Sequence, residues 1–211
     1  MVVYLHGFAS GAGSTKAAYF ADRLRAHDVP FEAPDLNAPD FSTMTMSRSL
    51  EQLREAIARH QGPVDLIGSS LGGALAILAA DRFATAVSRV VLLAPAVMFA
   101  KPGHHLLPPE RVEEWKRRGE LPFFHYALKE QRMLKYAFYK DSLLYDPFAA
   151  KLAQPTLIFQ GLRDESVDHL TVEQFARTRP NVTLSLLDDD HQLTASLPRI
   201  WEGVAPFLGL I

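Results

Sequence analysis

Short, almost uninterrupted apolar runs recur along this chain and alternate with longer segments of helical character. The clear runs are residues 2–5, 64–67, 90–93, 156–160 and 182–187, and a weaker one surrounds Phe31. The helix-like segments are residues 15–27, 46–60, 74–83, 172–177 and 194–208. A strand is apolar at nearly every position when both of its faces are buried, as in a parallel sheet covered by helices. The alternation therefore predicts an α/β fold with a mainly parallel sheet of about six strands and helices on both faces.

One long segment interrupts this alternation. Residues 97–148 contain no strand-like run, but they contain the proline pair Pro108 and Pro109, charged helical stretches and ten of the 21 aromatic residues. An insertion that follows a strand at the carboxyl edge of an open α/β sheet lies over the usual ligand crevice. We therefore expect one domain, residues 1–211, with a helical lid insertion at about 97–150. Most of its rings should dock the insertion on the sheet, and a minority should line a pocket.

The composition excludes several classes of site. A formal net charge of −2 over 211 residues gives no general attraction to nucleic acid or to an anionic membrane. The absence of cysteine excludes disulfides, thiolate metal sites and a cysteine nucleophile. No basic stretch precedes the first apolar run, and the longest apolar stretch, residues 90–100, is too short to span a bilayer. We expect a cytoplasmic protein with no nucleic-acid partner and no stable membrane insertion.

The glycine-rich segment YLHGFASGAGSTK, residues 4–16, raises the question of a phosphate site. A P-loop requires glycine directly before its lysine and serine or threonine directly after it. Here Lys16 lies between Thr15 and Ala17, and the first glycine position is occupied by Ser10. The segment therefore does not match a nucleotide-binding loop.

The segment Gly68-Ser69-Ser70-Leu71-Gly72 matches the pattern G-x-S-x-G between a predicted strand and a predicted helix. Such a turn is tight enough to strain its central serine, and the flanking residues must be very small so that strand and helix can pass each other. Gly68 and Gly72 meet that requirement. The pattern predicts Ser70 as a nucleophile. The alternative is close packing of a helix on a strand without chemistry.

A serine hydroxyl is a weak nucleophile unless a base takes its proton and a carboxylate holds the base. In this type of fold the acid and then the histidine follow the serine along the chain, each after a strand. Asp164 lies closest to the end of the run 156–160 and is the predicted acid, with Glu165 and Asp168 as rivals. The alternative role for Asp164 is to cap the helix that begins near Asp168.

The predicted base is His191, which follows the run 182–187 and the acidic stretch 188–190. His169, the other histidine after the candidate acids, lies one step into a helix and is expected at the surface. The acidic stretch is interpreted as a solvated loop, in which a carboxylate close to His191 would favour the protonated imidazole.

Acyl transfer passes through a tetrahedral oxyanion, which needs N–H donors placed where the charge develops. In serine hydrolases with a G-x-S-x-G turn, one donor is the N–H of the residue after the nucleophile, here Leu71. The other donor comes from the loop after an early strand. That loop is the start of the glycine-rich segment. It predicts the Phe8 N–H as second donor, with Gly7 allowing close approach of the main chain.

Together, LHGFASGAGSTKA, IGSSLGG, GLRDESV and DDDHQL resemble the α/β-hydrolase superfamily, specifically its small YqiA-like esterase branch. The resemblance implies hydrolysis of an ester or thioester through an acyl-enzyme, with no cofactor and no metal. The segment EEWKRRGELPFFHYALKEQRMLKYAFYKD also looks like the lid of related serine esterases and thioesterases that cleave acyl glucuronides or S-acyl groups. Two features depart from the pattern. The chain begins at what would be the third strand of the full fold, and Asp190 precedes His191 where a small residue is common.

These observations predict a serine carboxylesterase or thioesterase that acts on a small-molecule ester or thioester. An aromatic lid favours an apolar acyl or aryl group, because ligand pockets are mostly apolar with a few polar anchors. Two alternatives remain. One is different chemistry on the same triad, such as carbon–carbon bond hydrolysis or perhydrolysis. The other is a binding protein that keeps the fold without catalysis.

Overall fold

The computed structural model describes residues 1–101, 104 and 107–210, in which strands and helices alternate as the sequence predicts. The strands are β1 (Val2–Leu5), β2 (Phe31–Glu32), β3 (Val64–Ser69), β4 (Val87–Leu93), β5 (Glu120–His125), β6 (Glu130–Lys135), β7 (Thr156–Gly161) and β8 (Val182–Leu187). The helices are α1 (Thr15–Arg25), α2 (Met46–Ala58), α3 (Leu71–Arg82), α4 (Pro109–Arg118), α5 (Ala137–Ser142), α6 (His169–Arg177) and α7 (Leu197–Leu208). Each predicted apolar run is a strand, and each predicted helical segment contains a helix.

Six of these strands form one parallel sheet in the order β2-β1-β3-β4-β7-β8. Successive side chains of a strand point to opposite faces, and here both faces are covered. Val3 and Leu5 of β1 belong to a core shared with α2, α3 and α6. Val2 and Tyr4 belong to a second core shared with α1 and α7. This two-sided burial explains why the strands are apolar at nearly every position.

The strand order places a crevice at the carboxyl ends of β1 and β3. The chain passes from β1 outward to β2 on one side and from β3 outward to β4 on the other. The two loops that leave β1 and β3 therefore separate to opposite faces and leave a gap between them, which is where open α/β sheets bind ligands. The loop after β1 begins at His6, and the turn after β3 is Ser70.

The segment between β4 and β7 differs from the expectation in one respect. No strand was expected there, but β5 and β6 form an antiparallel hairpin between α4 and α5. The interpretation failed because β6, with the sequence EQRMLK, has charged or polar residues at four of its six positions. A two-stranded ribbon buries little of one face, and only Leu134 of β6 is fully buried. Residues 102, 103, 105 and 106 of this segment lie outside the described residues.

The segment 97–150, called the insertion below, packs on the rest of the chain, because most of its buried apolar residues belong to the core that β1 shares with α2, α3 and α6. Trp115 of α4 is fully buried, and its indole N–H donates to the Leu134 carbonyl at 2.7 Å. Ser47 at the start of α2 donates its backbone N–H to the Asp141 carboxylate at 2.8 Å. At the hairpin turn, the Tyr126 N–H donates to the Ala9 carbonyl at 2.7 Å. The insertion therefore contacts the loop after β1 directly.

Helix α3 passes very close to β1 at Gly72. A Cβ atom built on Gly72 would lie 2.1 Å from the Leu5 carbonyl oxygen and 2.7 Å from the His6 carbonyl oxygen. Both neighbours are backbone atoms of the central part of the sheet, so they cannot move aside as a flexible side chain would. Only glycine fits this crossing, and the crossing brings the start of α3 against the end of β1.

We expect Gly72→Ala to lower the free energy of unfolding by about 2–4 kcal/mol, because the added methyl group must displace a strand or a helix. Urea denaturation followed by circular dichroism measures this change. The control is Gly13→Ala, since a Cβ at Gly13 would have nothing within 4 Å, and its effect should stay within about 0.5 kcal/mol. Equal denaturation midpoints for the two variants would contradict the argument.

Candidate active site

Ser70 is the single residue that joins β3 to α3. Its backbone has φ 54° and ψ −115°, a conformation that costs a residue with a Cβ atom roughly 1–3 kcal/mol. The turn is held on both sides: the Ser70 N–H donates to the Leu93 carbonyl at 2.9 Å, and the Ser70 carbonyl accepts the Gly73 N–H at 2.9 Å. Such a turn leaves the side chain at the carboxyl edge of the sheet, above the crevice.

The glycines that flank Ser70 are required by close backbone contacts. A Cβ on Gly68 would lie 2.4 Å from the Gly72 carbonyl oxygen. Gly72 itself crosses β1, as described above. Gly68 and Gly72 therefore occupy positions where a larger residue would force strand and helix apart, as the pattern G-x-S-x-G predicts.

A continuous chain of hydrogen bonds links the predicted nucleophile, base and acid. Ser70 Oγ lies 3.1 Å from His191 Nε2, and His191 Nδ1 lies 2.8 Å from Asp164 Oδ2. The three residues come from the turn after β3, the loop after β7 and the loop after β8. The structure thus brings all three sequence-predicted residues together, in the arrangement that nucleophile, base and orienting acid require.

Asp164 is a buried carboxylate with every oxygen satisfied. Its side chain is fully buried. Oδ1 accepts the backbone N–H groups of Ser166 and Val167, each at 2.8 Å, and Oδ2 accepts the Gln160 amide at 2.9 Å in addition to His191. Burial acts to raise the pKa of Asp164, but the hydrogen bonds, led by the one from His191, outweigh it and leave that pKa below its usual value. Asp164 is therefore ionised at neutral pH.

The rival acids lie elsewhere. Asp168, and not Asp164, is the N-cap of α6, and its side chain accepts the Leu170 N–H at 3.0 Å. Glu165 is exposed. His169, the first residue of α6, has no contact with Ser70 or Asp164 and lies near Asp168 and Glu173 instead. Of the candidate acids, only Asp164 contacts His191.

The acidic stretch before His191 is more ordered than a solvated loop. Asp189 is buried, and its carboxylate accepts the backbone N–H groups of Asp190 at 2.8 Å and Ser196 at 2.9 Å. Asp190 accepts the Gln192 N–H at 2.8 Å. The expectation of a solvated loop was therefore wrong for Asp189. Its carboxylate is used to fold the turn that presents His191, since side-chain oxygens of this type satisfy nearby backbone N–H groups.

The predicted oxyanion donors lie on either side of the crevice, Phe8 on the loop after β1 and Leu71 at the start of α3. A Cβ on Gly7 would lie 3.4 Å from Ser70 Cβ and 4.0 Å from Ser70 Oγ, so the main chain of this loop passes directly beside the serine. Among the described residues, neither the Phe8 N–H nor the Leu71 N–H has a hydrogen-bond acceptor. Unpaired backbone donors beside a nucleophile are what an oxyanion site requires.

His6, which sequence reasoning left without a role, holds the loop that carries Phe8. Its ring is almost completely buried, its Nε2 accepts the Leu36 N–H at 3.0 Å, and its Nδ1 lies 2.9 Å from the Gly7 carbonyl oxygen. Because Nε2 is an acceptor, the neutral ring carries its proton on Nδ1 and donates it to Gly7. The Gly7 carbonyl and the Phe8 N–H belong to one peptide plane, so this bond orients the predicted donor.

A groove of about 400 Å³ adjoins this loop. Its lining includes the following residues of the glycine-rich segment, the 35–41 segment and the hairpin: Gly11, Asn37, Asp40, Phe41, His125 and Arg132. Ser70, Asp164 and His191 are not part of the lining. The Phe41 ring lies 5.7 Å from the Phe8 ring, so the groove and the predicted oxyanion loop share an aromatic wall.

Neither a metal cluster nor a membrane span is found in residues 1–101, 104 and 107–210. No three His, Asp or Glu side chains of this part of the chain are placed to hold one ion. No helix of the same residues has the length and apolar character needed to cross a bilayer.

Solved structures share this fold along almost the entire chain. Alpha/beta hydrolase domain-containing protein 10 from mouse has a TM-score of 0.82 and 21% identity, over 98% of this chain and 88% of the mouse chain. Est1E from Butyrivibrio proteoclasticus, with ferulic acid bound, has a TM-score of 0.84 and 21% identity, over 98% and 87% of the two chains. A structure of the metagenome-derived lipolytic enzymes LipS and LipT has a TM-score of 0.75 and 18% identity, over 98% and 91%. These likenesses confirm the α/β-hydrolase fold class.

The sequence comparisons give the family. No curated protein matches the sequence of this chain. Residues 1–207 match the family described as Uncharacterised protein family (UPF0227). Because the match covers nearly every residue, the chain belongs to UPF0227, and its fold is that of the α/β hydrolases.

Proposed function

We propose that this chain is a serine hydrolase that cleaves a carboxylic ester or thioester through an acyl-enzyme. The observation that carries the proposal is the hydrogen-bond chain from Ser70 through His191 to Asp164. The strained backbone of Ser70 and the two unpaired N–H groups beside it also support the proposal. A strained, positioned serine with a base in contact is the arrangement used for nucleophilic acyl transfer.

In the first half-reaction, Ser70 Oγ attacks the substrate carbonyl carbon while its proton passes to His191 Nε2. The carbonyl π electrons move onto oxygen, and the resulting oxyanion accepts the Phe8 and Leu71 N–H groups. Asp164 holds Nδ1–H of the imidazolium and stabilises its charge. The tetrahedral intermediate then expels the alcohol or thiol, which takes the proton from Nε2 and leaves an ester on Ser70.

In the second half-reaction, water replaces the alcohol or thiol. His191 Nε2 takes one proton from water as the oxygen attacks the acyl carbon, and the same two N–H groups accept the oxyanion. Collapse of the intermediate breaks the bond to Ser70 Oγ, which recovers its proton from Nε2. The products are a carboxylic acid and the free serine.

The acyl group is proposed to be apolar or aromatic. Phe8, whose N–H is a proposed oxyanion donor, packs its ring edge-to-face against Phe123 of the insertion at 5.4 Å between centroids. Both rings are partly exposed, so they offer an aromatic wall next to the reacting carbonyl. Est1E, a structure with the same fold, binds ferulic acid, an aromatic acid, which is consistent with this choice.

The first test is labelling by a fluorophosphonate probe. We expect covalent addition to Ser70, located by peptide mass spectrometry, because the probe phosphonylates serines that a neighbouring base activates. The Ser70→Ala variant should not be labelled. If the folded wild-type protein is not labelled under conditions that label a known serine esterase, the hydrolase proposal fails and the non-catalytic binding protein takes its place.

The second test separates the proposed acid from its rival. Asp164→Asn keeps the side-chain shape but removes the charge that orients and stabilises the imidazolium, so kcat for an activated ester should fall by about 10³-fold or more. Asp168→Asn preserves an acceptor for the α6 N-terminus and should leave kcat within about twofold. Similar losses in both variants would contradict the assignment of Asp164.

The third test addresses the aromatic wall. Phe123→Leu removes a ring against which an aryl-acyl group can pack, and such a contact between rings is worth about 0.5–1.5 kcal/mol, so the ratio of kcat/KM for aryl-acyl over acetyl esters should fall roughly two- to tenfold. The control is Phe124→Leu on the same strand, because the Phe124 ring is exposed and contacts Tyr126. Its ratio should equal that of the wild type. A larger change in the Phe124 variant would place the acyl group elsewhere.

A further inference from the structure

Lys16 is a buried cation that none of the proposed catalytic steps uses. It is the second residue of α1, its exposed fraction is only 9%, and its Nζ donates to the Gln192 carbonyl at 2.8 Å. Burial of an ammonium group costs free energy unless hydrogen bonds and opposite charges compensate it. A buried lysine that donates a hydrogen bond to the loop of the predicted base therefore requires an explanation.

Three carboxylates stabilise the charged form of this ammonium group. Burial lowers the pKa of Lys16 to about 8, while Asp190, Asp164 and Asp189 act in the opposite direction. Lys16 is therefore mainly charged at pH 7. Asp164 is the residue that contacts His191, and Asp189 and Asp190 precede it in the chain. The ammonium therefore interacts electrostatically with the carboxylate that holds His191.

The contact through Gln192 also has a geometric consequence. Gln192 follows His191 directly, so its carbonyl is separated from the histidine by one residue of backbone. Its N–H is fixed by the Asp190 carboxylate at 2.8 Å. With the Lys16 bond on the carbonyl, both backbone polar groups of Gln192 are anchored, and the loop that presents His191 has a defined position.

We propose that Lys16 is a positioning residue: it anchors the loop that carries His191, and its positive charge opposes protonation of the imidazole. The inference rests on the proposed function, because it assigns a role relative to the general base. A buried carboxylate in direct contact, here Asp164, favours the protonated imidazole, which cannot accept the Ser70 proton. The ammonium opposes that effect and the contributions of Asp189 and Asp190.

The test is the pH dependence of fluorophosphonate labelling of Ser70, measured as a second-order rate constant between about pH 5 and pH 9. The rate constant falls at low pH, and the midpoint of this fall is the pH at which half of the general base is protonated. Lys16→Met removes the charge with little change in length, so we expect this midpoint to move to higher pH by roughly half a unit or more. Lys16→Arg retains a charge and donors, and should restore the midpoint toward the wild-type value.

The control on the same helix is Arg25→Met. Arg25 is exposed and pairs with Asp22, so its removal should leave both the rate constant and the midpoint unchanged. A loss of positioning alone, as in a locally loosened loop, lowers the rate at every pH without moving the midpoint. An unchanged midpoint in a folded Lys16→Met protein would therefore overturn the electrostatic part of the proposal.

If Lys16→Met does not fold, a variant that removes a negative charge instead of a positive one tests the proposal. Asp190→Asn removes a negative charge that acts on Lys16 but retains an oxygen that can accept the Gln192 N–H. We expect the midpoint to move to lower pH. A midpoint that stays in place, or moves upward, contradicts the proposal. Failure of the proposed function is seen separately, as absence of labelling in the wild-type protein, and the role of Lys16 falls with it.

Discussion

The close crossing of α3 over β1 is the constraint on which the candidate site depends. Because Gly72 has no side chain, the first turn of α3 lies directly on the carbonyl oxygens of Leu5 and His6. This contact brings the turn at Ser70 beside the loop that carries Phe8, although the two are separated by about sixty residues of sequence. The proposed nucleophile and both proposed oxyanion donors thus follow from one packing contact between a helix and a strand. The strain at Ser70 is compensated by the surrounding packing.

Two charged side chains near the candidate site are buried, and both have hydrogen-bond partners. Asp164 is completely covered, yet backbone donors, Gln160 and His191 satisfy both of its oxygens. Lys16 is buried as well; it donates to one carbonyl, and three carboxylates stabilise its charge. A buried charged group whose hydrogen bonds are satisfied is rigidly placed, because movement would leave a partner unsatisfied at a cost of several kcal/mol. The candidate site therefore combines a strained serine with two buried charged residues, Asp164 and Lys16, whose positions are fixed by hydrogen bonds.

The sequence predicted those parts of the structure that depend on local pattern. The strands, most helices, and the positions of Ser70, Asp164 and His191 at strand ends follow from apolar runs and one short motif. The hairpin was missed because the charged strand β6 is stabilised by its pairing with β5 and by the packing of Leu134, which no local propensity reveals. The contacts of His6 and Lys16 were also missed. Each reaches a partner that is distant in sequence, and only the folded chain defines it.

The order of the strands has a consequence for how the site is assembled. Ser70 and His191 are 121 residues apart in sequence and meet only when β4, β7 and β8 have been added to the sheet beside β3. Contacts of such long range form late, after the entropy of closing large loops has been overcome. The Ser70–His191 pair therefore exists only in molecules that have completed the entire carboxyl-terminal half of the sheet. A partly folded or prematurely truncated chain would contain the strained turn at Ser70 without the proposed base beside it.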